Sequence, residues 1–99
     1  MLAQLRPTLL TEYVGTQLEV SDDPARVFDL TLTSVVTHIH TEQMEAFSIF
    51  FHGPPEPFMS QGIRKLNHPA LGELSIFLVP IGQDKYGFQY EAVFNHMIR

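Results

Sequence analysis

The chain has 99 residues, 44% hydrophobic and 17% charged, which supplies apolar material for one core, too little length for two, and too apolar a mixture for disorder. Six Lys and Arg against eleven Asp and Glu leave a net charge of −5, and the scattered basic residues (Arg6, Arg26, Arg64, Lys65, Lys85, Arg99) lack the clustered footprint that phosphate binding requires, so no nucleic-acid partner is expected. The absence of cysteine excludes disulfides, thiolate metal sites and cysteine catalysis.

In chain order, Met1–Arg6 has no basic region followed by an apolar run, so no secretory leader is read there and a cytoplasmic location is expected. A short helix is predicted next: Thr8 is placed to cap it, Leu9, Leu10 and Tyr13 form its apolar side, and Gly15 is placed to end it in a left-handed conformation. Gln17-Leu18-Glu19-Val20 alternates as a strand up to the turn cluster Ser21-Asp22-Asp23-Pro24. A second strand is predicted over Val27–Ile39, with Phe28, Leu30 and Leu32 on one face. Its alternation falters at Ser34-Val35-Val36, which predicts a bulge or bend that swaps the buried face.

Thr41–Glu45 is read as a connection. A third strand sets Phe47, Ile49 and Phe51 against Ser48, Phe50 and His52, and Gly53-Pro54-Pro55-Glu56-Pro57 stops it. That same interruption breaks the longest nearly uncharged stretch, Ala46–Phe58, well short of the ~20 apolar residues a membrane-spanning helix needs, so no membrane partner is expected. A short strand Ile63–Leu66, a wide loop Asn67–Gly72, a strand Leu74–Ile81 closed by Pro80, and a loop Gly82–Gly87 follow. The last strand turns Phe88, Tyr90, Ala92 and Phe94 to one face. The whole of residues 1–99 is therefore expected to be a single, mainly β domain: a small antiparallel barrel or two-sheet sandwich of about six strands with one short N-terminal helix.

Few residues carry recognisable chemistry. His38-Ile39-His40 puts two imidazoles on the same side of a regular strand, a spacing found in metal sites, and His52, His68 or Glu42 would have to complete the ligand set. His68, before Pro69, reads either as a general base or as a ring bonded to its own loop backbone, and the second reading is preferred because Ser48, Ser60 and Ser75 sit in no nucleophile setting. Glu42 with Glu45, and Glu73 with Glu91, have nothing in their spacing that demands paired acid–base work. The glycines stand at separate turns and form no phosphate loop. No catalytic residue and no cofactor is assigned, and the reading leans away from an enzyme.

The informative oddity is apolar residues on both faces of two strands. Phe50 opposes Phe47, Ile49 and Phe51, while Phe77, Val79 and Ile81 oppose Leu74, Ile76 and Leu78. Such strands must be covered twice. Either the N-terminal helix covers the second face, or Phe50, Phe77, Val79 and Ile81 are an interface for a homo-oligomer or a protein partner.

Phe47-Ser48-Ile49-Phe50-Phe51-His52-Gly53-Pro54, Gln61-Gly62-Ile63, Leu66-Asn67-His68-Pro69-Ala70-Leu71-Gly72, Ile76-Phe77-Leu78-Val79-Pro80-Ile81-Gly82 and Tyr90-Glu91-Ala92-Val93-Phe94-Asn95, taken in order, resemble a small bacterial domain family of unknown function. Its members carry F-S-x-x-F-x-G-P, H-P-x-L-G and L-V-P-x-G motifs and are often encoded near phage-tail-collar-like proteins. The resemblance runs from Thr8 to Asn95, with Arg64 and Leu18 standing where the pattern has aromatics. It implies an accessory or assembly role and transfers no catalytic residue.

Three functions compete on this reading. The first is a non-enzymatic interaction or assembly module, accessory to a phage-tail-like system. The second is a small-ligand-binding β-barrel with Phe28, Phe47, Phe51, Tyr90 and Phe94 lining an interior pocket. The third is a metal-dependent hydrolase using His38 and His40.

Overall fold

The computed structural model describes residues 7–97, and Met1–Arg6, read above as lacking a leader, lie outside the described residues. The elements are α1 (Pro7–Thr11), β1 (Gln17–Val20), β2 (Phe28–His40), β3 (Met44–Gly53), β4 (Gly62–His68), β5 (Gly72–Asp84) and β6 (Gly87–Met97). Every pairing is antiparallel, and the ladder closes on itself in the order β1-β2-β3-β6-β5-β4, a closed barrel. The first three strands run as a meander and β4 returns beside β1, which is a Greek key. The β5–β6 hairpin then fills the gap between β4 and β3. Because β4 also pairs with β1, the strands form one ring, not the two separate layers of a sandwich; β1 pairs with β2 only over Phe28–Thr31, so β2 runs on past the ring to His40 along that edge.

Alternation fills the interior. Leu18 and Val20, Leu30 and Leu32, Phe47, Ile49 and Phe51, Leu66, Leu74, Ile76 and Leu78, and Tyr90 and Ala92 all point inward with no more than 4% exposure. On β2 the register shifts between Leu32 and Ser34, so Thr33 is the extra residue. Beyond it the inward set passes from Leu30 and Leu32 to Val35, which packs on the core from an odd position. This is the face swap the sequence predicts, placed one residue earlier. The interior pocket expected of a ligand-binding barrel is not formed by the residues proposed for it. Phe47, Phe51 and Tyr90 are each 1% exposed within the core, and Phe94 stacks on Phe47 at 5.1 Å between ring centroids. A ring this narrow is filled by its own side chains.

The turns are tighter than the sequence suggests. Met44 and Glu45 belong to β3, so the β2–β3 connection is only Thr41–Gln43, held by the Thr41 hydroxyl accepting from Met44 N at 3.0 Å. The β4–β5 ladder runs on to His68 opposite Gly72, leaving three loop residues, and Gly72 takes a left-handed φ of 80° as three-residue hairpins require. β5 does not stop at Pro80. Pro80 pairs with Tyr90 and is followed by a register shift at Ile81, and such a bulge is where a proline without a donor is tolerated inside a sheet. The strand then continues to Asp84, which lies opposite Gly87 across a two-residue turn.

Pro7, not a capping Thr8, opens α1, a position where its missing N–H costs nothing. The chain then unwinds through turns to Gly15, whose φ of 94° is left-handed as expected. Gly15 N donates to Leu32 O at 2.7 Å and Leu32 N to Thr16 O at 2.9 Å, which ties this segment to β2. Leu10 is buried in the core and Tyr13 packs against it, so the helix docks with the inward-facing residues. It does not cover the second apolar face: Phe77 and Ile81 stay 50% and 49% exposed.

Candidate functional site

The outer face of β2, β3, β6 and β5 carries most of the unusual side chains. Register places Val36, Ser48 and Val93 on one rung, and Ser34, Phe50, Glu91 and Val79 on the next. On β5, Phe77 lies two residues from Val79 and opposite Ile63 of β4. Val36, Val93, Phe77 and Ile63 are all exposed, while Phe50 and Val79 are half-buried. All four proposed interface residues thus lie on one continuous outer surface, with Ile81 at the bulge, and Val36, Ile63 and Val93 extend it. The sequence missed these three because the residues two positions away on either side, which share their face of the strand, are polar: Ser34 and His38, Gln61 and Lys65, and Glu91 and Asn95.

At the centre of this face sits a hydrogen-bonded trio. Ser48 is wholly buried although it points away from the interior. Its hydroxyl donates to Glu91 Oε2 at 2.7 Å and lies 2.7 Å from His38 Nε2. A hydroxyl has one proton to give, so Nε2 of His38 is the donor in the second bond. This order, with serine between histidine and carboxylate, is not that of a nucleophilic triad, in which the imidazole accepts the serine proton. Among the described residues, none of the trio's side-chain atoms is buried without a hydrogen-bond partner.

His38 and His40 are not brought together. The β2 register shifts a second time between Thr37 and Ile39, and the extra residue breaks the i, i+2 relation on which the metal reading rested. His38 bonds Ser48, whereas His40 lies opposite Glu45 and its Nδ1 is 3.2 Å from Glu45 Oε2. Ser48 and Glu45 are three residues apart on one strand and so face opposite ways. Neither His52 nor His68 joins them. Among the described residues, no group of three or more His, Asp or Glu side chains is arranged to hold a metal ion. The suggested carboxylate pairs are also apart: Glu91 lies opposite Phe50 and Val79, Glu73 lies opposite Asn67, and Glu45 is buried while Glu42 is exposed in the turn.

His68 follows the structural reading. Its Nδ1 accepts from the backbone N–H of Ala70 at 3.0 Å and Leu71 at 3.2 Å, so the ring proton is on Nε2, which donates to Thr16 Oγ1 at 3.0 Å. The Thr16 hydroxyl in turn donates a hydrogen bond to Tyr13 O at 2.6 Å, and the Tyr13 ring meets His68 edge-on at 5.0 Å. One buried imidazole therefore joins the β4–β5 hairpin to the segment after α1.

Asp84 closes the β5–β6 turn. Its Oδ1 accepts from Tyr86 N at 2.8 Å and Gly87 N at 3.0 Å, and His52 Nε2 lies 3.2 Å away. The Tyr86 backbone bond first, then the His52 bond, hold its carboxyl below the ordinary aspartate value of 3.8. A depressed folded-state value stabilises the turn above the unfolded value, and that contribution is lost as pH falls through the folded one. Acid titration followed by NMR is expected to shift the Tyr86 and Gly87 amide resonances together below about pH 4. Asp84→Asn is expected to abolish that joint step, and an unchanged step in the variant would contradict the assignment.

A cavity of about 230 Å³ opens at one end of the ring, lined by Val20, Phe28, Phe58, Met59, Arg26 and Arg64 among others. Of the five aromatics proposed to hold a ligand, only Phe28 reaches it. Arg64 pairs there with Asp22 at 3.3 Å and also bonds Ser60.

Fold and surface together define a small, mainly β, ring-closed domain whose distinctive feature is an apolar outer face. The chain matches the family model described as Domain of unknown function (DUF6916) over residues 5–94, and it belongs to that family. No curated protein and no solved structure matches it. Among the described residues, no helix is long and apolar enough to cross a membrane.

Proposed function

We propose that this domain is a non-enzymatic interaction and assembly module whose outer β2-β3-β6-β5 face receives a second copy of the chain. The observation that carries the reading is the composition of that face. The chain has eleven acidic residues and a net charge of −5, so two copies repel one another over most approaches. On the rungs of Val36, Phe50, Val79 and Val93 the carboxylate is Glu91, and it is already hydrogen-bonded to Ser48. Depletion of charge at an apolar centre is what distinguishes the core of an interface from the rest of a surface. The accessory role in a phage-tail-like assembly, implied by the motif resemblance, requires a face of this kind.

Sedimentation equilibrium of the wild type beside Val93→Lys tests the assignment. Val93 is 58% exposed, so the substitution leaves the fold intact and sets like charges face to face across a two-fold contact. Association at least tenfold weaker in the variant is the expected result, equivalent to about 1.4 kcal/mol. Equal association in both proteins would move the interface off this face.

A further inference from the structure

β1 pairs with β2 only as far as Thr31, and Leu32 takes the last bonds on that side, its N–H to Thr16 O at 2.9 Å and its carbonyl from Gly15 N at 2.7 Å. Among the described residues, no backbone group bonds β2 along that edge beyond Leu32, although the strand runs on to His40. Alternation along the β2–β3 ladder says which residues aim their polar groups outward. Leu32 turns away from β3. Thr33 and Ser34 share Phe50 across the bulge, so Val35 turns away, Val36 turns to β3, and Thr37 turns away again. Counting from the other end agrees: Thr41 N bonds Met44 O, which turns His40 outward, Ile39 and the bulged His38 inward, and Thr37 outward.

Open strand edges in soluble proteins are blunted by charge, proline or bulges. From Leu30 to His40 β2 has no Asp, Glu, Lys, Arg or Pro, and its two bulges flank residues 34–37, which keep a regular register. Val36 and Thr37 are exposed, so another strand can reach this stretch. The stretch is its own complement. A two-fold axis through Val36 sets Val35 opposite Thr37 of the second copy, and Thr37 opposite Val35, as pairs that exchange both N–H···O bonds. Val36 then meets Val36 of the second copy between them, and all of these are β-branched cross-strand pairs. In a chain of net charge −5, the paired segment brings no carboxylate to the contact.

We propose that the outer edge of β2 at Val35–Thr37 pairs antiparallel with the same edge of a second copy. This contact is separate from the one assigned to the outer face. Face packing sets two sheets against each other, whereas edge pairing joins two sheets side by side. The bulges keep the edge contact short, so it is the weaker of the two, and a pair of copies joined through their faces keeps both β2 edges free to link further pairs.

Amide hydrogen exchange over a concentration series, on the wild type, Val93→Lys and Thr37→Pro, tests it. The amides of Val35 and Thr37 are expected to exchange fast in dilute protein and roughly threefold or more slower at about millimolar concentration. The Val36 amide, bonded to β3, reports the fold and is expected to stay protected throughout. Val93→Lys is expected to keep the slowing at Val35 and Thr37, which separates this contact from the face. Thr37→Pro removes an outward N–H that the β3 ladder does not use, and Val35 is expected to exchange fast in it at every concentration while Val36 stays protected. Fast exchange of Val35 and Thr37 in the wild type at all concentrations would overturn the proposal. So would slow exchange already present in the dilute monomer, which would mean that the chain covers this edge itself, and so would slowing that Val93→Lys abolishes.

Discussion

Gly87→Ala is expected to lower stability by about 3 kcal/mol or more, the combined scale of local backbone strain and overpacking. Gly87 has a φ of 151°, and a Cβ built there overlaps the Gly53 carbonyl oxygen and comes within 3.0 Å of Pro54 C. Both obstacles are backbone, so no side chain can swing aside. Nor can Gly53 retreat into the barrel, since its own Cα faces Leu30 and Tyr90 closely enough that a Cβ there would stand 2.6 Å from Leu30 Cδ2. The end of β3 and the β5–β6 turn thus interlock through two glycines. Gly72 supplies the control: its φ of 80° is also left-handed, but nothing lies within 4 Å of an added Cβ. Gly72→Ala is expected to cost only the conformational penalty, about 1–2 kcal/mol. In a domain of this size each kcal/mol moves Tm by roughly 4–8 °C. Calorimetric melting of the two variants should therefore separate them clearly, and equal melting temperatures would refute the close crossing.

His68→Ala is expected to cost about 2–3 kcal/mol. The substitution removes the acceptor of the Ala70 and Leu71 N–H groups, the donor to Thr16, and a ring 6% exposed that packs against Tyr13. The loss falls on two elements at once, so native-state hydrogen exchange should show faster exchange both in the Pro69–Leu71 loop and at Thr16. Thr16→Val removes only the far end of the chain of bonds and is expected to cost about 1 kcal/mol. Opening confined to the loop in His68→Ala would show that the link to Thr16 carries no stability.

The strands were legible because their period is two and their inward faces are aliphatic or aromatic. Phe47, Ile49 and Phe51, Leu74, Ile76 and Leu78, and Tyr90 and Ala92 are the faces that simple alternation picks out. The first bulge on β2 was legible too, because it interrupts a run of apolar residues and leaves a visible phase error. The second was not. His38-Ile39-His40 reads as unbroken alternation, and its shift appears only once Ala46 and Glu45 are known to be the partners of Ile39 and His40. That hidden shift is why the sequence pairs His38 with His40, while the fold pairs one with Ser48 and the other with Glu45.

Cross-strand chemistry was illegible for the same reason. Ser48 and Glu91 are 43 positions apart and bond at 2.7 Å, a contact that exists only through the β3–β6 register. Proline misled in the opposite direction, since Pro80 reads as a stop and the bulge at Ile81 lets the strand pass. The second apolar face of β5 was read correctly as unusual. Its cover was the open question, and α1 is not that cover, because Leu10 turns into the core.

Two copies joined through the face of Val36, Phe50, Val79 and Val93 dissociate on dilution. Light scattering coupled to size exclusion, run over a concentration series on the untagged wild type, reads that equilibrium. The expected molar mass rises with concentration to at least two protomers. A mass of 11.3 kDa at every concentration would contradict it.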